Sequence, residues 1–210
     1  MGFRLAARSE TVTRRGLLVL ASHSPRRQAL LRQAGIPFIV IPAGIEEAPL
    51  PGEDPRAHVE RLAREKALAV GAAPEDTVLG ADTVVVVNGE ILGKPRDAAD
   101  AVRMLQLLSG REHQVITGIC LRQGDKLLTA AETTTVRFLP LTEDDIRDYV
   151  ASGEPLDKAG AYAIQGLASK FIDRIEGCYS NVVGLPLALV WKCLAGPGLP
   201  DPLAPGMPRP

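Results

Sequence analysis

Val78-Leu-Gly-Ala-Asp-Thr-Val-Val-Val-Val87 decides how this chain is read. From Thr77 to Val87 the sequence is apolar and rich in valine, whose branched side chains suit a pleated strand. Asn88-Gly89 follows, the pair favoured in type I′ turns, and Glu90–Leu92 supplies a returning strand. Asp82 is the single charge in the run. Burying an ionised carboxylate is expensive unless a cation or several donors compensate. Two readings stay open: a strand-end carboxylate facing a site, where it binds a metal or polarises water, or an aspartate bonding nearby backbone at a strand break.

On the N-terminal side, Leu17–Ala21 reads as a short buried strand and Phe38–Ile41 as a second. Between them Ser24 caps a helix with Pro25 at its first position, running to about Ala34 before Gly35. Asp54 caps another, with Val59, Leu62, Ala63 and Val70 on one face. On the C-terminal side, Asp97 or Ala98 opens a helix with Ala101, Met104, Leu105 and Leu108 at amphipathic spacing. Strands near Gln114–Arg122 and Leu127–Phe138 flank a Gly124-Asp125 turn, and Thr142 with Asp145 forms a capping box. A polar segment, Ser152–Gly166, precedes a strand at Phe171–Ile175 and a last helix at Leu185–Leu194. Interleaved helices and hairpins predict an α/β fold with a mixed sheet.

The whole chain of 210 residues carries 24 basic and 25 acidic side chains, a net charge of −1, which argues against a dedicated nucleic-acid binder. With 46% hydrophobic residues it can bury a core, and no apolar stretch approaches a bilayer span. Cys120, Cys178 and Cys193 form no C-x-x-C, and His23, His58 and His113 have no metal-ligand spacing. Reduced thiols and a cytoplasmic location are expected. Residues 1–16, rich in arginine, read as a flexible extension, 17–194 as the folded domain, and 195–210, rich in proline, as a disordered tail. Gly89-Glu-Ile-Leu-Gly93-Lys94-Pro95 is one residue too short for a P-loop and has Pro95 in place of the metal-binding hydroxyl. No G-x-G-x-x-G or G-x-S-x-G occurs in a strand-to-helix context.

Two further placements are unusual. Lys66 shares the apolar face of Val59, Leu62, Ala63 and Val70; it either snorkels at the edge or serves a site. Arg26-Arg27 stand at a helix start, where cations oppose the dipole unless an anion binds there; a solvated pair is the alternative. Cations (Arg26, Arg27, Lys66, Lys94, with Lys158 a further candidate) and carboxylates (Asp82, Glu46 or Glu47) suit a polyphosphate held through a divalent metal. Oxygen ligands without His or Cys favour Mg²⁺ or Mn²⁺.

Leu20-Ala-Ser-His-Ser-Pro-Arg-Arg27, Gly80-Ala-Asp-Thr-Val84, Gly93-Lys-Pro95, Leu108-Ser-Gly-Arg111, Ser152–Gly166 and Asn181-Val-Val-Gly-Leu-Pro186 stand in order along the body. Together they resemble the Maf family of nucleoside triphosphate pyrophosphatases. The resemblance implies a mixed twisted sheet with flanking helices, two lobes around a cleft, akin to the inosine triphosphatase architecture. It implies hydrolysis of a nucleoside triphosphate to monophosphate and pyrophosphate with a divalent metal. Thr83, Arg26 and Gln165 resemble the branch acting on dTTP and UTP. Ala163 departs from a usual glycine in the Ser152–Gly166 motif.

Carried over by motif, Asp82 is the proton acceptor, and Arg26, Thr83 and Gln165 set base preference; Asp82 is expected to act on the water either directly or as a metal ligand. Glu47 is expected as a second metal ligand or a water-positioning carboxylate, Arg27, Lys66 and Lys94 to offset phosphate charge, and Ser22 to donate to a phosphate oxygen. A homodimer is expected from the resemblance only, with no nucleic-acid or membrane partner. The alternative is a non-catalytic nucleotide-binding regulator of cell division or septum formation, which needs the cations but no positioned base.

Overall fold

The computed structural model describes residues 16–196, so the expected extension and proline-rich tail lie almost wholly outside the described residues. One sheet organises the chain. β1 (Leu18–Leu20) lies between β2 (Ile39–Val40) and β3 (Thr77–Val87), parallel to both. β4 (Glu90–Leu92), β5 (Glu112–Gln123), β6 (Lys126–Phe138) and β7 (Ile172–Glu176) add antiparallel ladders in the order β2-β1-β3-β5-β6-β7, with β4 on β3. The expected mixed α/β sheet is what forms. Asn88 and Gly89 have φ of 51° and 79°, the left-handed pair a type I′ turn requires.

β3 is apolar throughout because both its faces are covered. Leu79 and Ala81 pack with α1 (Pro25–Gln33) and α6 (Leu187–Ala195), while Val85 and Val87 pack with α3 (Ala98–Leu108) and α4 (Glu143–Ala151). The alternate positions, Val78, Val84 and Val86, lie under α2 (Pro55–Ala69). That helix is pressed onto the sheet: a Cβ on Gly80 would stand 2.0 Å from Ala63 O, and one on Gly118 2.4 Å from Val59 O. The close approach brings Lys66 over β3.

Two sequence expectations for β3 need correction. Asp82 neither ends the strand nor bonds backbone at a break; it pairs in register with Gly118 inside a continuous strand. What lapses is the pairing on the other edge. β1 pairs only as far as Leu79, β4 pairs only from Val85 onward, and the edge between them opens into a cleft.

Smaller differences follow local chemistry. Only Ile39–Val40 of Phe38–Ile41 pairs, at the sheet edge. The last helix begins after Pro186, and a short helix, α5 (Tyr179–Val183), precedes it. The segment from Ser152 to Gly166 is folded into 3₁₀ turns, with Gly160 at φ 66° packed so tightly on Val85 that a Cβ would lie 2.7 Å from it. No described helix is long and apolar enough to cross a membrane.

Candidate active site

The open edge of β3 forms the floor of a cleft of about 530 Å³. Ser22, Arg26, Arg27, Glu47, Lys66 and Asp82 line it, and so do Thr83, Lys94 and Gln165. All the site residues expected from the sequence therefore meet in one place. The volume suits a ligand of nucleotide size.

Alternation along β3 sends Asp82 and Thr83 to opposite faces. On the α2 face, Lys66 Nζ lies 2.7 Å from Asp82 Oδ1 and 2.7 Å from Glu47 Oε1. Lys66 and Asp82 are more than nine-tenths buried; Glu47 is half-exposed at the rim, with Lys94 Nζ 4.0 Å from its other oxygen. Burial works against the Glu47 charge, yet Lys66, Lys94 and Arg27 outweigh it and hold its pKa below the ordinary value. Asp82 Oδ2 has no hydrogen-bond partner among the described residues, which leaves it free to accept a proton. Glu46 takes no part in these contacts.

On the other face, Ser24 caps α1 by accepting from Arg27 N, and the Arg27 guanidinium is pinned by three acceptors. Nε donates to Gly184 O at 2.8 Å, Nη1 to Ser22 Oγ at 3.2 Å, and Nη2 to Thr83 Oγ1 at 3.0 Å. Burial lowers its pKa from the ordinary value, while Asp82 and Glu47 oppose that shift. Thr83 Oγ1 also lies 2.9 Å from Thr117 Oγ1, so its hydroxyl is fully engaged in holding the arginine.

Arg26 and Arg27 do not act as a matched pair. Arg26 Nη1 reaches Asp157 Oδ2 at 3.3 Å, on the segment that carries Gln165. Adjacent positions on a helix point about 100° apart, so the two guanidinium groups serve different walls. The Gln165 amide makes no hydrogen bond among the described residues and faces the cleft unengaged. Lys158 lines it too, but its Nζ is held by Glu154 O and Asp157 Oδ1.

Sequence reasoning missed three participants. Gly184 supplies the backbone acceptor for Arg27, and Asp157 the partner of Arg26. His58 also lines the cleft; its signal was spacing, since His58, Leu62 and Lys66 recur every four residues along one α2 face.

The donor set fits a hard divalent cation. Two carboxylates, Glu47 and Asp82, already converge on one cationic atom, and no group of three His, Cys, Asp or Glu among the described residues forms a protein-only cage. Mg²⁺ in phosphate chemistry is commonly held by one or two carboxylates, with phosphate and water completing the shell.

Fold and site together define an α/β protein with an acid-bearing, cation-lined cleft for a phosphorylated ligand. Within that class the chain belongs to the Maf-like protein family, whose model matches residues 17–196. It is 55% identical over 184 residues to the dTTP/UTP pyrophosphatase of Symbiobacterium thermophilum, covering 87% of this chain and 95% of that protein. The protein of the same description from Anaeromyxobacter sp. (strain Fw109-5) is 55% identical over 197 residues, covering 91% and 95%. That from Koribacter versatilis is 49% identical over 183 residues, covering 87% and 95%. A solved nucleoside-triphosphatase / dITP/XTP pyrophosphatase from Mycobacterium abscessus overlaps 59% of this chain and 75% of its own, with 16% identity and a TM-score of 0.38.

Proposed function

We propose that the protein hydrolyses dTTP and UTP to the monophosphate and pyrophosphate. The observation that carries this reading is the Lys66 ammonium held between Asp82 and Glu47, inside a cleft that also presents Arg27 and Lys94. The relatives described as dTTP/UTP pyrophosphatases support the choice of bases.

In this reading water attacks the α-phosphorus in line, and pyrophosphate departs. Asp82 orients the water and takes its proton on Oδ2, with Lys66 on Oδ1 fixing the carboxylate. Arg27, Lys66 and Lys94 offset charge on the phosphate oxygens, and Ser22 donates from the turn before α1. Glu47 and Asp82 would hold Mg²⁺ or Mn²⁺, which supplies charge neutralisation at the phosphates when bound.

Base choice falls to Gln165. Uracil and thymine present acceptor, donor, acceptor along the pairing edge, and a free amide offers a donor beside an acceptor. Arg26 supplies a further donor, oriented by Asp157. Thr83 contributes through the arginine it holds. The free thiols of Cys120, Cys178 and Cys193 support a cytoplasmic setting, and the homodimer rests on the resemblance alone.

A panel of nucleoside triphosphates with Mg²⁺, assayed for pyrophosphate against orthophosphate, tests the reading. Pyrophosphate is expected, fastest from dTTP and UTP; orthophosphate alone, or no release, contradicts it.

A further inference from the structure

The Gln165 side chain lines the cleft with its amide unengaged, so its aim is set by the backbone that carries it. That backbone is a tight turn: Gly166 N donates to Ala163 O at 3.1 Å, which makes Gln165 the third of four residues. The N–H groups two residues before and two residues after Gln165 are both held from behind. Ala163 N donates to Tyr149 Oη at 3.2 Å, and Leu167 N donates to Glu154 Oε2 at 3.1 Å.

Tyr149 and Glu154 are themselves joined, with Tyr149 Oη donating to Glu154 Oε1 at 2.9 Å. Each carboxylate oxygen therefore meets one donor, and the phenol, which both donates and accepts, links the two ends of the turn. Each anchor is fixed apart from the turn it holds. The Tyr149 ring, on α4 and 3% exposed, meets Phe171 edge-on with centroids 5.6 Å apart. Glu154 opens a 3₁₀ turn, and its backbone O accepts from Lys158 Nζ at 2.7 Å. The contact with the Gln165 turn is close: a Cβ on Gly166 would lie 2.2 Å from Glu154 Oε1. Neither Tyr149 nor Glu154 is among the described residues that line the cleft.

We infer that Tyr149 and Glu154 are positioning residues for base selection, a clamp that grips the Gln165 turn at both ends and aims its amide at the pairing edge of the base. The inference rests on Gln165 as the reader of that edge and adds the device that points it. Cytosine carries an amino donor where uracil has an oxygen acceptor, and an amide offers a donor beside an acceptor. A loosened amide turns to suit either base, whereas a clamped one leaves a group unpaired against the wrong one.

The test measures kcat/KM for UTP and for CTP with Mg²⁺ in the full chain and in Tyr149→Phe, Glu154→Gln and Gln165→Ala. Tyr149→Phe keeps the ring on Phe171 and removes the link; Glu154→Gln sets an amide NH₂ against one of the two donors. A ratio taken on one preparation cancels the folded fraction, and a general loss of structure lowers both rates together. The preference for UTP over CTP should fall roughly twofold to tenfold in each clamp variant, the scale of one hydrogen bond. In Tyr149→Phe combined with Gln165→Ala it should fall no further than in Gln165→Ala alone, because the clamp acts through that amide. Glu154 is partly exposed, so Glu154→Gln carries the test if a thermal melt shows that Tyr149→Phe does not fold. Wild-type preference in the folded clamp variants overturns the clamp, as does a full additional loss in the combined variant; a loss in Gln165→Ala then leaves the base reading standing. Unchanged preference in Gln165→Ala removes the base reading, and the clamp with it.

Discussion

Lys66 Nζ stands 2.7 Å from Asp82 Oδ1, with both side chains more than nine-tenths buried at the wall of a cleft. A buried ion pair with excellent geometry often contributes little net stability against an apolar replacement, so stability alone is a weak reason for it. Beside a free carboxylate oxygen and a polyphosphate-sized cavity, it makes a positioned base. Asp82→Asn should keep the fold, because Lys66 retains Glu47, and should lose about 10²–10⁴ in kcat. Circular dichroism with a steady-state pyrophosphate assay checks both halves. Near-normal turnover removes Asp82 from the mechanism.

Gln165→Ala should lower kcat/KM for dTTP and UTP by roughly tenfold to a hundredfold, the scale of one to two lost hydrogen bonds, and other nucleotides less. Uniform loss across the panel would make Gln165 a residue that positions phosphates or its own loop.

Arg27→Lys keeps the charge and loses the fork. The three acceptors, Gly184 O, Ser22 Oγ and Thr83 Oγ1, cannot all be reached by one ammonium. We expect kcat/KM to fall at least about tenfold and stability to fall by about 1–3 kcal/mol from the partners left unpaired. Urea unfolding alongside the pyrophosphate assay measures the two effects.

Much of this was legible in the sequence, and the exceptions have physical causes. Caps at Ser24, Asp54, Asp97 and Thr142 announced four helices because each side chain satisfies a backbone N–H within three residues. The cleft residues were legible by motif and by anomaly: Lys66 on an apolar face and Asp82 in an apolar strand. What local sequence does not encode is which neighbours a strand lacks. Asp82 faces a cleft because β1 pairs with β3 only as far as Leu79 and β4 pairs with it only from Val85 onward, a fact of long-range pairing. The partners Asp157 and Gly184 were hidden for the same reason, each more than 100 residues from the arginine it holds.

Acid should loosen the fold through His113. Burial pushes its pKa down to about 4, below the value of about 6.5 expected in the unfolded chain. The unfolded state then binds the extra proton first, so stability rises with pH across this window and is lost as pH falls from about 6.5 to about 4. The loss is about 3 kcal/mol. The unfolding free energy of wild type should fall relative to that of His113→Phe on acidification over that range; a constant difference contradicts the assignment.

Gly80 is where α2 meets the sheet, and Gly80→Ala would drive a Cβ to 2.0 Å from Ala63 O. We expect a loss of about 1–3 kcal/mol or more, and reduced turnover, because lifting α2 carries Lys66 away from Asp82. A thermal melt and the same assay test this.

The central claim is that water enters at the α-phosphorus beside Asp82. Turnover of dTTP in heavy-oxygen water, followed by mass spectrometry of both products, reads the site of attack directly. The label should appear in the nucleoside monophosphate and be absent from pyrophosphate. Label in pyrophosphate, or in orthophosphate released in its place, would contradict the account.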